Sequence, residues 1–599
     1  MRIAHLSHQA FLWIVQAVVL DDLLWYYILL TGLQDKSKMN ERITMNKKKL
    51  PIGISDFKKL IEGDYYYIDK SLLIKELLDS GTAATLIPRP RRFGKTLNLS
   101  MIRYFFEKTE ESNVHLFKDL AIAKYSQCME HQGRYPVIFL TFKDVKVDTW
   151  EKCWNAIKKN ISAEFKRHDY LLLGNIFKSN EKHLFQKICD GSAQLIDYSF
   201  ALLNLSEYLA RFYKQSPIIL IDEYDAPIHA GYLNNYYKDV IEFLRNFLSG
   251  GLKDNSNLAF GMLTGILRVS KENIFSGLNN LEICSLIHDS YADKFGLIEA
   301  EVKTIVSMYQ PNTNIDDVRA WYDGYNIGKV KIYNPWSIIN FAKMGRTIPY
   351  WINTSDNAIV KSIISGSSAR DKERIESLMN GIKITININE NIVFQELSNR
   401  PETLWNFLLF TGYLTFENLR QEDLFEYADL CIPNNEVKSL YKSIILDWFS
   451  TTIGMDLYQL MLMQLTSGNT DDFKENFYNI VEQSLSTFDV GGKEPEKFYH
   501  ALVLGMLASL NVTHAIKSNR ESGFGRYDVM LIPHDKNKLG IIIEFKKVKK
   551  GETLKSSAQN ALKQIEDKKY ATELEAFGIK QIVKLAIVFK GKAVLVLEG

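Results

Sequence analysis

Three stretches of this chain bring together residue types that handle phosphate and metal. The first is RPRRFGKTLN, from Arg89 to Asn98. Its Gly94-Lys95-Thr96 end matches that of a phosphate-binding loop. Gly94 permits close backbone approach, Lys95 would reach β- and γ-phosphates, and Thr96 would set its hydroxyl on Mg²⁺. Arg89 stands where such a loop usually opens with glycine. Together with Arg91 and Arg92 it is expected to offer positive side chains to phosphates, giving firm binding and slow hydrolysis. Read alone, the Gly-Lys-Thr tripeptide is also compatible with a surface helix start.

The second stretch is IILIDE at 218–223, an apolar run ending in Asp222 and Glu223. Beside a metal, Asp222 would hold the Mg²⁺ shell and Glu223 would orient or deprotonate an attacking water. The run GMLTGILRVS follows. It places Thr264 at a strand end, where it could touch a γ-phosphate or the water. Arg268 is placed to stabilise charge in cis or across subunits, with a plain surface arginine as the alternative.

The third stretch, RYDVMLIPHDKNKLGIIIEFKK, reads as two strands joined by a polar turn. Asp528 and Glu544 lie symmetrically about Lys536, so a hairpin closing there sets the two carboxylates opposite each other. Cβ atoms so paired lie roughly 5 Å apart, a spacing suited to gripping one Mg²⁺. Lys546 points to the same face as Glu544. Two carboxylates and a lysine around a metal are the equipment of a phosphodiester hydrolase. The Phe545 carbonyl is a further possible ligand, and Glu496, Gln564 and Arg526 are supporting candidates. His500 reads as a packed structural histidine. Asp, Glu and Lys on a hairpin also occur as a solvated face, but charges directly after the apolar run GIIIEF call for a use or a partner. The lysine run at 546–555 reads either as a phosphate-tracking stretch or as a solvated loop.

These residues need elements to hold them. Residues 82–88, 136–142, 216–225 and 257–265 are four nearly uniform apolar runs, as expected of parallel strands covered on both faces. Helical patterns such as LNLSMIRYFFEK lie between them, which predicts an α/β sheet. From about 290 to 489 the texture is helical and aromatic, with WYDGYNIG, IYNPWSIINF and LWNFLLFTGYLT prominent. Beyond the hinge-like DVGGKEPEKF, helix 494–510 precedes two strands, a helix over SSAQNALKQIED and a strand over LAIVFK. The expected domains are therefore a phosphate-loop α/β unit at 45–289, a helical middle region at 290–489 and an α/β unit at 490–599.

Length and composition fit this division. A chain of 599 residues exceeds one core. Its net charge of +2 leaves any nucleic-acid surface to a local patch. Five scattered cysteines, without paired spacing, argue against a disulfide framework and a zinc site and fit the cytoplasm. Residues 1–44 are strongly apolar, yet Asp21 and Asp22 split them into halves too short to span a bilayer. They also lack a signal-peptide pattern. Membrane attachment is not expected, and Met39 or Met45 is a possible natural start.

Taken together, LPIGISDFKKLIEGDYYYIDKS, RPRRFGKTLNLSMIRYFF, LIDEYDAPIH and LTGILRVSKENIFSGLNNL resemble the AAA-ATPase-like family of prokaryotic proteins, as do WYDGYNIG, IYNPWSI and YWINTS. That family typically carries a C-terminal PD-(D/E)XK nuclease-superfamily domain, whose D-(x)15-ExK signature appears here without its proline. The resemblance covers nearly everything from Leu50 onward. It implies ATP and Mg²⁺ as cofactors, with Lys95, Thr96, Asp222 and Glu223 in the nucleotide and magnesium roles. It implies DNA or RNA as a partner for Asp528, Glu544 and Lys546, with homo-oligomers possible. The rival expectation is a nucleotide-dependent signalling or nucleic-acid-binding switch that does not cut.

Overall fold

The computed structural model describes residues 47–253, 255–269, 280–354, 357–365, 367–379, 381–397, 400–453, 455–487, 507, 510, 513–522, 525–549, 551–590 and 593–599. Residues 1–44, the 491–492 hinge and most of the expected 494–510 helix, with Glu496 and His500, lie outside the described residues. So does the side chain of Arg526.

Four of the strands in the first unit are the four apolar runs: β1 (Ala84–Pro88), β2 (Val137–Thr141), β3 (Ile218–Asp222) and β4 (Phe260–Gly265). A short fifth strand, β5 (Leu281–Ile283), joins them in a parallel sheet of order β2-β3-β4-β1-β5. β4 thus separates the loop-bearing strand β1 from the acid-bearing strand β3. The uniform hydrophobicity follows from two-sided burial. On β3, Ile218 and Leu220 join one apolar cluster with Leu99, Ile102 and Phe105 of helix α1 (Lys95–Phe106). Ile219 and Ile221 join another, with Ile157 and Phe247. No residue of β3 faces solvent, so a polar residue there would need a partner.

The second cluster runs on without a break into the middle region, taking in Trp351, Trp405, Phe407 and Tyr413. The aromatic motifs of that region meet where helix α3 (Asn435–Ile453) begins. Asn334 caps helix α2 (Pro335–Met344), accepting from the amides of Trp336 and Ser337 at 2.9 and 3.2 Å. Ser337 Oγ and the Trp351 amide then donate to the Glu436 carboxylate at 2.7 and 2.6 Å. Asn434 donates to the Asp323 carbonyl at 2.7 Å. Gly324, with φ of 102°, lies so close to Pro433 that a Cβ would sit 2.0 Å from its carbonyl oxygen, so only glycine fits this contact.

Burial pushes the Glu436 carboxyl from 4.5 up to about 7, against the lowering effect of its hydrogen bonds. The folded chain therefore holds this proton more tightly than the unfolded chain. Its stabilising contribution is full below about pH 4.5 and is lost as pH rises through about 7. Wild type should lose about 1 kcal/mol between pH 6 and 8 from this group, a few degrees of melting temperature. Glu436→Gln should flatten that slope in thermal melts; an unchanged slope would refute the assignment.

The C-terminal sheet has the order β6-β7-β8-β9-β10, formed by His514–Ser522, Gly525–Pro533, Gly540–Lys547, Ile582–Lys590 and Ala593–Glu598. Only β8 and β9 run parallel, and helix α6 (Leu554–Asp567) makes their crossover. Ala558 and Ala561 of α6 pack on Ala586 and Val588, small side chains that let helix and sheet approach closely. The other face, with Val529, Ile541, Ile543 and Leu585, packs on helices α4 (Met455–Ser467) and α5 (Thr470–Thr487). These two helices lie within the 290–489 stretch yet share the C-terminal core.

Candidate active sites

The chain leaves β1 into Arg89–Gly94 and enters α1 at Lys95. Two residues of this turn are left-handed: Gly94 at φ 84° and, without glycine's freedom, Arg92 at φ 68°. Lys95 is buried, and its Nζ donates to the carbonyls of Arg89 and Pro90 at 2.8 and 2.9 Å. Burial lowers its pKa, while Glu223, Asp225 and Asp222 act in the opposite sense. Thr96 Oγ1 donates to Asp222 Oδ2 at 2.8 Å, linking loop to acidic strand. Asp222, fully buried at the end of β3, also accepts from Thr264 at 2.7 Å and Thr141 at 3.3 Å. Glu223 follows at φ 49° and turns toward a cleft of about 630 Å³, which Arg91, Arg92, Lys95 and Thr96 also line. A strained non-glycine residue at the mouth of a cleft is a common mark of function.

Three expected contacts with the nucleotide differ in the structure. Thr264 stands behind Asp222: its hydroxyl is spent on that carboxylate and accepts weakly from the Glu223 amide at 3.4 Å. In this arrangement it braces the two acids from the neighbouring strand. Arg268 turns into the seam with the middle region, 3.7 Å from Glu390, because the Arg268–Val269 backbone is bridged to Ile392. Arg89 does not reach the cleft. It is fully buried behind the loop, where Nη1 donates to the carbonyls of Pro88 and Cys284 at 2.9 and 2.6 Å and Nη2 to that of Ser290 at 3.4 Å. Its guanidinium also lies 5.5 Å from the Phe295 ring. Carbonyl dipoles and a ring face offset part of the cost of burying this charge, although Nε has no hydrogen-bond partner among the described residues, and these contacts tie the loop to the segment after β5.

In the C-terminal unit the ladder pairs Val529 with Ile543, Met530 with Ile542 and Leu531 with Ile541, the register implied by a turn centred on Lys536. Asp528 and Glu544 lie one step beyond this ladder, near enough for the Asp528 charge to act on Glu544, and the Phe545 amide donates to Asp528 Oδ2 at 2.7 Å. Asp528, Glu544 and Lys546 share parity with Met530 and Ile542, so they occupy the face covered by α6. Lys546 Nζ donates to Glu544 Oε1 at 2.9 Å, and Gln564 of α6 donates to the same oxygen. Gln564 also donates to the buried Tyr570 hydroxyl at 3.2 Å. Tyr570 was not foreseen, because in sequence a buried tyrosine with a polar partner looks like core filling. Glu544 is 1% exposed, and its Oε2 has no hydrogen-bond partner among the described residues. Burial first, then the neighbouring Asp528 charge, raises its pKa above the usual carboxylate range, with Lys546 pulling the other way.

A buried carboxylate oxygen without a donor, beside a second carboxylate, fits a small hard cation. Among the described residues no group of three or more His, Cys, Asp or Glu side chains converges. The protein's share of such a site would therefore be the two carboxylates, Asp528 and Glu544. Among the described residues no helix is long and apolar enough to cross a membrane.

Comparison with known proteins agrees with both halves. Residues 51–275 match a family model described as "Predicted AAA-ATPase", and residues 494–599 match the PD-(D/E)XK nuclease superfamily. The chain is also 26% identical over 551 residues to an uncharacterized protein in the vnfD 5′ region of Azotobacter chroococcum mcd 1, covering 89% of this chain and 95% of that protein. With its parallel sheet, helical middle and mixed C-terminal sheet, the chain joins an AAA-ATPase-like domain to a PD-(D/E)XK nuclease-superfamily domain.

Proposed function

We propose that this protein binds ATP in the cleft of the first domain and that its C-terminal domain hydrolyses phosphodiester bonds of DNA or RNA with Mg²⁺. The observation that carries the second half is the donor-free buried oxygen of Glu544, set beside Asp528 and within the reach of Lys546. Asp528 and Glu544 would hold the cation, which supplies Lewis acidity toward water and the scissile phosphate when bound. Lys546 would place the nucleophile or stabilise developing negative charge. Gln564 fixes the rotamer of Glu544 through its Oε1. In the first domain, Lys95 and Arg92 would take phosphate oxygens, Thr96 and Asp222 the Mg²⁺ of the nucleotide, and Glu223 the water.

Incubating wild type and Lys546→Ala with single- and double-stranded DNA and RNA, with Mg²⁺ or a chelator, tests the nuclease reading. Cleavage that needs both Mg²⁺ and Lys546 is expected. Wild type that cuts none of these substrates would overturn it.

One observation favours a second reading, a switch that binds without cutting or turning over: Arg268 is paired with Glu390 away from the cleft, so no arginine from that strand end is held ready for the charge that develops during hydrolysis. Tight ATP binding without turnover, unaltered by Glu223→Gln, would support the switch. Turnover that Glu223→Gln lowers by on the order of 10²-fold would support the ATPase.

A further inference from the structure

One side chain of the phosphate loop is held by the middle region, not by its own domain. The Arg92 guanidinium lies over the ring of Trp336, its Cζ 4.4 Å from the centroid, and both residues line the cleft with Lys95 and Thr96. Arg92 is exposed, so its guanidinium donors are open to the cleft. A guanidinium held over a ring by cation–π attraction spends no hydrogen bond between heavy-atom donors and acceptors on that contact, and those donors are what a bidentate grip on a phosphate uses. An arginine held this way loses less freedom on binding than one waving in solvent.

Trp336 is itself well fixed. It is the second residue of α2, its amide donates to the Asn334 cap at 2.9 Å, and Ser337 beside it donates to the buried Glu436. Arg92 is constrained from the other side by its left-handed backbone in the turn. A side chain aimed from a strained backbone onto a ring carried by another region is poorly explained as a solvated surface arginine, because an unstrained surface residue would meet solvent equally well.

We propose that Trp336 is a positioning residue for the nucleotide site: it holds Arg92 as a pre-set phosphate fork, so that phosphate recognition depends on the middle region as well as on the loop. The inference rests on the ATP-binding reading above. Its core is the dependence of Trp336 on Arg92, a feature that a purely architectural tryptophan would lack.

Calorimetric titration of the full chain with Mg·ATP, and separately with inorganic triphosphate, tests it. The variants are Trp336→Phe, Trp336→Leu, Arg92→Ala, the Arg92→Ala/Trp336→Leu double variant and Lys95→Ala. Trp336→Leu should weaken both ligands about fivefold, whereas Trp336→Phe, which keeps a ring face, should stay within about twofold. In the Arg92→Ala background, Trp336→Leu should add nothing, because the group it positions is gone. Losses that multiply in the double variant, or a Trp336→Leu chain that binds like wild type, overturn the inference while leaving ATP binding intact. Wild type that binds ATP no better than Lys95→Ala overturns the reading beneath it, and the inference with it.

Discussion

Replacing Asp528 by asparagine should lower Mg²⁺-dependent cleavage of nucleic acid by on the order of 10³-fold, with the melting temperature held or raised. The rate falls because a carboxylate ligand is lost. The fold survives because the Phe545 amide, which donates to Asp528 at 2.7 Å, can donate equally to an asparagine carbonyl. Stability is held or gains because the like-charge pressure of Asp528 on buried Glu544 disappears. Opposite movements of activity and stability are the signature of a carboxylate pair kept together for a cation. A variant that loses both would make Asp528 a structural residue. One that keeps full activity would remove it from the site. Adding Mg²⁺ without substrate should raise the melting temperature of wild type and leave that of Asp528→Asn unmoved, since only a site with both ligands binds the ion tightly.

Whether such a pair could be read from sequence depended on the element that carried it. The β7–β8 register was legible because a hairpin is local: a polar turn between two apolar runs fixes which residues face each other. The four long strands of the first sheet were legible for a related reason, since two-sided burial writes an unbroken apolar run. The short β5 strand, Leu281–Ile283, has too few residues to show a period. The β6 strand, His514–Ser522, lies at a sheet edge and reads as a polar loop. Contacts set by distant chain segments were not legible at all. Nothing near Arg268 announces Glu390, and nothing near Arg92 announces Trp336. The helices α4 and α5 have the composition of the middle region, but their partner is the C-terminal sheet.

Arg89 is the sharpest instance, and its orientation reverses what its substitution should do. As a phosphate ligand it would be dispensable to the fold, and Arg89→Gly would alter turnover. Buried behind the loop, it donates to the carbonyls of Pro88 and Cys284, the second some 200 residues away in sequence. Burial lowers its pKa to about 10, with Cys284 and Glu76 offsetting that shift, so it remains a cation at neutral pH. Arg89→Met keeps much of the bulk but strips these acceptors of their donor, and each acceptor left unpaired inside the protein costs about 1–3 kcal/mol. With the imperfect fit of the new side chain, a loss of about 3–5 kcal/mol is expected, seen as a melting temperature lower by about 10 °C without any nucleotide present. Arg92→Ala, three residues on but exposed, should leave the melt within about 1 °C and act on phosphate affinity alone. An Arg89→Met chain that melts like wild type yet binds ATP poorly would return Arg89 to the cleft, and would mean that the loop carries its charge at the position where a glycine is usual.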